Sequence, residues 1–482
     1  MTEQARTRVA IIGGGPGGYA AAFMANDLGL DVTLIDVEKN PGGVCLYRGC
    51  IPSKAFLHVA RILTEAREAA YWGIAFDEPK VDLNRLRESK DEVVKRMTGG
   101  LGQLCKSRKI KYIQGRASFE DSRTLSIIHD DGATERLETD YTILATGSRP
   151  TPLSELFLES PRMMDSTAAL QMEDIPRNLL VVGGGYIGLE LGTVYAAMGS
   201  KVTIVEKEST LLPGADPDLV EVLHKRLEPF VERILLNTSV ASIKEARGGL
   251  AVTLEGKEAE NKPAQFDRVL VCIGRRPNSS GVGLKNTRVS LTDGGLVEVD
   301  AQRRTKDPYI YAIGDLTGEP MLAHKASHEG RVAAESIAGQ RTAFEPNAIP
   351  AVVFTDPEVA WCGLMEKEAE AKGIEVKVAR FPWAASGRAA TLNRPEGLTK
   401  LITDPDTEQI LGVGIAGTGA GELISEGVLA VEMGATAYDV GFTIHPHPTL
   451  GETIMETADL IFGHAAHVHQ SRPEPREAAG KE

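Results

Sequence analysis

Apolar residues in this chain arrive in short runs that stop at glycine. Val9–Ile12 reads VAII and leads at once into GGGPGG, and Leu179–Val182 reads LLVV and leads into GGGYIG. Brief apolar runs bounded by glycine suit strands buried on both faces, as in a parallel sheet. Each glycine turn is followed by a small-residue-rich helical stretch, a glycine stop, and a second apolar run that ends in an acid, Asp36 or Glu206. The segments Val9–Asp36 and Leu179–Glu206 align at a constant offset of 170 without a gap, so that Gly13, Gly15, Gly18 and Gly29 fall on Gly183, Gly185, Gly188 and Gly199. The pattern predicts one βαβ unit written twice.

Three more apolar runs end in glycine: YTILATGSRP (Tyr141–Pro150), RVLVCIGRRPN (Arg268–Asn278) and YIYAIGD (Tyr309–Asp315). They predict later strands returning to the two turns, and the first two resemble each other, as the closing strands of similar sheets should. Between the repeats, Ala55–Trp72 and Val81–Met97 carry the period of long amphipathic helices, the second with a charge run on a solvated face. From about Ile349 the pattern changes to antiparallel strands and a hairpin, then helices around Glu422–Met433 and Glu452–Phe462. The expected divisions are 1–150 and 151–280 for the two nucleotide units, 281–348 for a central domain, 349–465 for an α+β module, and 466–482 for a mobile polar tail.

Composition sharpens this picture in a few places. A chain of 482 residues has room for about three domains. Hydrophobic residues at 42% and charged residues at 25% are those of a soluble globular protein. The net charge of −14 argues against a generic binder of nucleic acid or of an anionic membrane. Five cysteines, odd in number and sparse, argue against a secreted disulfide scaffold. No run approaches a membrane span, and the N-terminus enters structure without a leader pattern, so the expected compartment is cytoplasmic. The histidines near the C-terminus read as a solvated tail, not a metal site.

The repeated G-x-G-x-x-G turn has a mechanism. Its first glycine makes the tight turn, the second lets backbone approach a pyrophosphate at the helix N-terminus, the third lets helix and sheet pack closely, and the terminal carboxylate accepts ribose hydroxyls. Two such sites on one chain suggest a flavin and a nicotinamide. Asp315, beside Gly314 at the end of a buried strand, reads either as a contact to a ligand's sugar-like chain or as a helix N-cap. Cys45 and Cys50 lie in GGVCLYRGCIPSK, after a Gly42–Gly43 turn. An isolated close pair is redox-active or half a zinc site, and zinc needs about four ligands. Cys105, Cys272 and Cys362 form no second pair. A helix starting near Pro52 would favour a thiolate at Cys50. In TIHPHPTLGE, His447 with Glu452 suits a base held by a carboxylate; each alone reads as structural.

Together these motifs resemble the class I pyridine nucleotide–disulfide oxidoreductases, over Val9 to about Phe462. The stretches that carry the resemblance are GGVCL-x-x-GCIPSK, ATGSRP, GGGYIGLE, AIGD…PMLAHKASHEG, FPWAASGRA and H-x-HPTL-x-E. The resemblance implies an α/β fold with two Rossmann-like dinucleotide-binding domains, for FAD and NAD, and a C-terminal α+β dimerisation domain. It implies that Cys45 exchanges with substrate, that Cys50 lies against the flavin, and that His447, oriented by Glu452, acts on the disulfide of the second subunit of a homodimer. It assigns Gly13, Gly15, Gly18, Asp36, Gly43, Lys54, Ala117, Gly147, Asp315 and Ala323 to FAD. It assigns Gly183, Gly185, Gly188, Glu206, Val240 and Gly274 to NAD, and Glu190 to the nicotinamide. The implied activity is oxidation of dihydrolipoyl groups, borne by an acyltransferase or other lipoyl-domain protein of a multienzyme complex, with reduction of NAD. Glutathione-reducing members prefer NADP, where Glu206 would repel a phosphate; mercury-reducing members carry a C-terminal cysteine pair, and here no Cys follows Cys362. A non-catalytic scaffold is opposed by the intact cysteines and His447. The chain departs from the family's usual pattern at Tyr47-Arg48 and at Pro446. Arg48 either puts a cation between two redox thiols, which would favour their reduced form, or points into solvent.

Overall fold

The computed structural model describes residues 7–152, 158–259 and 262–468. It divides into two compact units, one drawn from 1–183, 194–205 and 238–345, the other from 184–193, 206–237 and 346–482. Residues 469–482 of the expected tail lie outside the described residues, whereas Ala466 and His467 are bonded to Glu456.

In the first unit β1 (Arg8–Ile12), α1 (Pro16–Asp27) and β2 (Asp31–Asp36) form the first βαβ unit. Their sheet runs Ile310–Ala312, Tyr141–Leu144, β1, β2, Lys111–Gln114, with every neighbour parallel. β1 is buried on both faces, as its unbroken apolar run requires. Ile11 packs with Leu34, Ile143 and the small residues of α1 on one side, and Ala10 and Ile12 pack with Ile35, Phe119 and Leu125 on the other. Small residues also bring α1 against the helix Ala323–Ile337, where a Cβ on Gly330 would stand 2.6 Å from the Gly17 carbonyl oxygen.

The second repeat is built in the same register. Ile12 pairs Ile35 and Leu144; 170 residues later Val182 pairs Val205, and Val182 also pairs Val271. Each parallel sheet is accompanied by a three-stranded antiparallel sheet, Arg116–Asp121 with Thr124–Ile128 and Thr134–Glu138, and Thr238–Ala246 with Gly249–Gly256 and Ala264–Phe266. The two similar runs ATGSRP and CIGRRPN pair directly with each other, Ser148 opposite Pro277 and Pro150 opposite Arg275.

Two helices differ from expectation. α3 starts at Cys50 and runs to Glu68, and the next helix runs Leu83–Ser107, ten residues past Met97. Glycines at 99, 100 and 102 do not end it: no proline follows, and buried Thr98 and Cys105 hold the helix to the core. Gly102 serves packing: a Cβ there would stand 2.2 Å from Asn40 Oδ1.

The second unit is organised by an antiparallel sheet in the order Ala351–Val353, Glu358–Gly363, Ile410–Gly417, Leu398–Thr403, Lys377–Pro382. Lys400 is the unusual core residue. Its ammonium, 1% exposed, meets Asp216 at 2.7 Å, Asp218 at 2.9 Å and Glu366 at 2.7 Å. Burial pushes the Asp218 carboxyl up, but Arg380 and Lys400 outweigh it and hold that group below the ordinary carboxylate range. Lys400→Met should leave buried Asp216 without its cation, Arg380 still serving Asp218 and Glu366, and cost about 3–5 kcal/mol, read as a lower thermal midpoint at neutral pH. The deficit should shrink on acidification. A depressed carboxylate stabilises above its unfolded range, and that stabilisation is lost as pH falls through the native one.

Candidate active site

Each glycine turn is held by the acid that ends its repeat. Gly14 N–H donates to Asp36 Oδ2 at 2.5 Å and Glu38 N–H donates to Oδ1 at 2.8 Å. In the second copy Gly184 N–H donates to Glu206 Oε2 at 2.6 Å and Glu208 N–H donates to Oε1 at 2.9 Å. The equivalence outlasts the sequence match, since Gly42 N–H donates to the Gly14 carbonyl and Leu212 N–H to the Gly184 carbonyl. Gly13 (φ +107°) and Gly183 (φ +110°) cannot carry side chains, because a Cβ would stand 2.2 Å from the Ala145 carbonyl oxygen and 2.4 Å from that of Cys272. A Cβ on Gly18 would stand 1.8 Å from the Gly13 carbonyl oxygen. At Gly147, Gly185 and Gly274 no described atom lies within 4 Å of where a Cβ would stand.

Asp315 sits in the short turn Gly314–Thr317 and caps no long helix. Its Oδ2 accepts the Ser148 hydroxyl at 2.5 Å, and Arg275 Nε donates to the same hydroxyl at 2.7 Å. Below the turn lies fully buried Glu329, which accepts Gly314 N–H at 2.5 Å and pairs with Arg303 at 3.0 Å and Lys325 at 3.1 Å. Ala323 opens the helix that carries Lys325 and Glu329. Ala117 is buried in a strand, and Val240 is half-buried in another.

The cysteine pair bridges two helices. Cys45 lies in α2 (Gly43–Arg48), and Cys50 is the first residue of α3. Neither is in a disulfide in the structure. The Cys45 thiol is hydrogen-bonded to Cys50, and that bond, then burial, then the charge of Cys50 push it well above the ordinary thiol range, with Lys54 opposing. This favours the protonated form of Cys45, and Cys50 stands at the positive end of a 19-residue helix. α2 rests on the glycine turn: Gly43 (φ +56°) would put a Cβ 2.5 Å from Gly15 Cα. Arg48, expected between the thiols or in solvent, instead forms an ion pair with Glu38.

In the second unit the two histidines of TIHPHP separate into different roles. His445 is held on both ring nitrogens, by the Thr443 carbonyl at 2.8 Å and Glu426 at 2.7 Å. His447 Nδ1 meets Glu452 Oε1 at 2.8 Å, and the imidazole is 71% exposed, which leaves Nε2 for proton transfer. Burial pushes the Glu452 carboxyl up, but Thr449 N–H and His447 outweigh it and keep it below its ordinary range. Glu190 is buried, and its carboxylate accepts Phe354 N–H at 3.0 Å.

A family model described as pyridine nucleotide-disulphide oxidoreductase matches residues 7–330, and the dimerisation domain of the same name matches residues 349–458. The chain belongs to the pyridine nucleotide-disulphide oxidoreductases. A dihydrolipoyl dehydrogenase from Haemophilus influenzae is 46% identical over 463 residues, covering 96% of each chain. One from Geobacillus stearothermophilus is 43% identical over 462 residues, covering 96% of this chain and 97% of that one. Among solved structures, LpdA from Mycobacterium tuberculosis superposes with a TM-score of 0.88 at 28% identity, covering 94% of this chain and 99% of that one. An HOCl-induced flavoprotein disulfide reductase from Escherichia coli superposes with a TM-score of 0.82 at 26% identity, with the same coverage. The family and fold class inferred from the motifs are borne out.

For a pyridine nucleotide-disulphide oxidoreductase the motifs name candidate groups but not the residues that hold them. Ser148, Arg275, Arg303 and Glu426 gave no signal. Lys325 and Glu329 stand at i and i+4, a readable ion pair, but nothing in the sequence says that it is buried. Gly43→Ala tests the seating of α2 on the glycine turn. A left-handed alanine costs about 1 kcal/mol by itself, and the clash with Gly15 adds to it. The variant should purify with at least about tenfold weaker flavin retention, which corresponds to 1.4 kcal/mol. A fully yellow protein would show that α2 adapts.

Proposed function

We propose that the chain is an FAD-dependent dihydrolipoyl dehydrogenase, oxidising protein-bound dihydrolipoyl groups to lipoyl groups with reduction of NAD. The observation that carries this reading is the Cys45–Cys50 pair, seated through Gly43 on the first glycine turn with Cys50 at the start of α3. Dinucleotides suit both turns by shape and charge: backbone N–H groups at a helix start, a floor kept free of Cβ atoms, and a carboxylate for ribose hydroxyls. FAD, when bound, accepts two electrons from the dithiol and yields them as hydride to NAD. Asp36 holds the FAD ribose, Asp315 and Lys54 hold its further parts, and Glu206 holds the NAD ribose.

The exchange itself is thiol chemistry of the chain. With Cys45 and Cys50 oxidised to a disulfide, the partner subunit's His447 takes a proton from the substrate dithiol, and the resulting thiolate attacks Cys45 Sγ. The Cys45–Cys50 bond breaks and its electron pair leaves on Cys50. The second substrate sulfur then displaces Cys45, releasing the cyclic disulfide, and Cys45 takes up the remaining proton. Glu452 holds Nδ1 of His447, fixing the tautomer and stabilising the charged ring.

A homodimer with shared sites is supported by the exposed apolar surface of the module that matches the dimerisation domain, where Met433, Phe442 and Ile444 are 75%, 77% and 95% exposed. The lipoyl group comes from an acyltransferase or other lipoyl-domain protein of a multienzyme complex. Among the described residues no helix is long and apolar enough to cross a membrane. We assign the enzyme to the cytoplasm, where thiols outside the active site stay reduced.

Steady-state oxidation of dihydrolipoamide with NAD and NADP side by side tests the assignment. NAD should be strongly preferred, because Lys207, the neighbouring cation, meets Glu208 at 3.5 Å while Glu206 would repel a 2′-phosphate. Glu206→Ala should weaken NAD by roughly 1.5–3 kcal/mol and relax the preference. Comparable kcat/KM for the two nucleotides would overturn the reading. Shared sites predict a second outcome. Cys45→Ser and His447→Ala homodimers should each be nearly inactive yet hold FAD. Refolded together, about half the dimers are mixed, each with one intact site, so activity should approach roughly a quarter of wild type. A mixture that stays dead although mixed dimers form would place base and disulfide in one chain.

A further inference from the structure

Tyr47 and Arg48 lie between the two redox cysteines, yet neither side chain turns to them. Arg48 pairs with the carboxylate of Glu38. The Tyr47 hydroxyl donates to the Asn40 carbonyl at 3.0 Å and accepts Asn40 N–H at 3.3 Å. Both thus grip the loop that follows β2. The same loop is fixed at Glu38, whose N–H donates to Asp36 Oδ1 at 2.8 Å and whose carbonyl accepts the Tyr112 hydroxyl at 2.7 Å. Gly102 lets the helix Leu83–Ser107 approach Asn40 from the other side.

We propose that Arg48 is a positioning residue for the FAD ribose site, acting through Glu38 on Asp36, and that its charge serves retention of the nucleotide and not the potential of the thiols. The proposal rests on the reading above that Asp36 holds the ribose. Glu38 is the connecting residue, since its side chain takes Arg48 while its backbone N–H orients the Asp36 carboxylate. Electrostatics is consistent with the geometry: burial leaves the Asp36 carboxyl above its ordinary range, and Gly14 N–H and then Arg48 offset part of that rise. α2 is thereby tied to the ribose loop, so the pair of thiols and the nucleotide share one support.

The test compares Arg48→Met, Arg48→Lys, Glu38→Gln, the double variant Arg48→Met/Glu38→Gln, and Asp36→Asn in the full-length dimer. FAD dissociation is followed by flavin fluorescence, and the thiol–disulfide potential by equilibration with defined dithiothreitol mixtures. Arg48→Met and Glu38→Gln should each raise the FAD dissociation constant roughly fivefold, the scale of a half-exposed ion pair. The double variant should do no more than either single one, Arg48→Lys should recover most of the loss, and the potential should stay at the wild-type value. A shifted potential with unchanged FAD affinity would overturn the proposal and give Arg48 to the thiols. If Asp36→Asn loosens FAD while Arg48→Met does not, the inference fails and the ribose assignment stands. If Asp36→Asn leaves FAD tight, the ribose assignment fails and takes the inference with it.

Discussion

A carboxylate that closes back on the turn beginning its own repeat is the interaction on which this structure depends. Asp36 and Glu206 each take two backbone N–H groups, one from the glycine turn and one from the residue two places on. Charge-assisted bonds of this kind are short and directional, and here they fix the helix start at the end of the strand. The orientation of the helix N-terminus, the seating of Gly43 on Gly15, and hence the placement of Cys45 all follow from that closure. The acid shapes the turn, and under the proposed function it also keeps lone pairs for a sugar. Replacing it with an amide would disturb both.

Buried charge recurs where the chain must hold one geometry. Glu329 beneath the Asp315 turn and Lys400 at the heart of the antiparallel sheet are almost inaccessible to water. Burying such groups gains little net stability over well-packed apolar residues. What it supplies here is position: the Gly314 N–H, the Arg303 side chain and the Lys325 side chain converge on one carboxylate, and any shift in the turn breaks a bond in a low-dielectric interior.

The repeat was legible because its glycines are steric necessities. A Cβ at Gly13, Gly18 or Gly183 would collide with backbone, so the residue type is dictated and the spacing survives. The match in side chains fades by position 212, where leucine stands for Gly42, although the backbone bond is the same. Partnerships made by surface polar groups were harder to read. Nothing local says that His445 is held on both ring nitrogens while His447 keeps an exposed one, or that Arg48 reaches back ten residues to Glu38. The helix through Gly99 and Gly100 was misjudged because local propensity is weak against burial of one face. The antiparallel sheets beside each parallel sheet were missed because their strands are partly exposed and mix polar with apolar residues.

The order of strands in the first sheet bears on how the chain is made. Ile310–Ala312 forms the outer strand beside Tyr141–Leu144, yet it leaves the ribosome only after the whole second repeat. At about 5–20 residues per second, the edge of the first sheet waits roughly ten to thirty seconds for its last strand. Throughout that interval an apolar strand displays unpaired N–H and C=O groups, the arrangement most open to wrong partners, including the matching strand of the second repeat. Two sheets of similar strand order in one chain thus expose vectorial synthesis to mispairing between its halves.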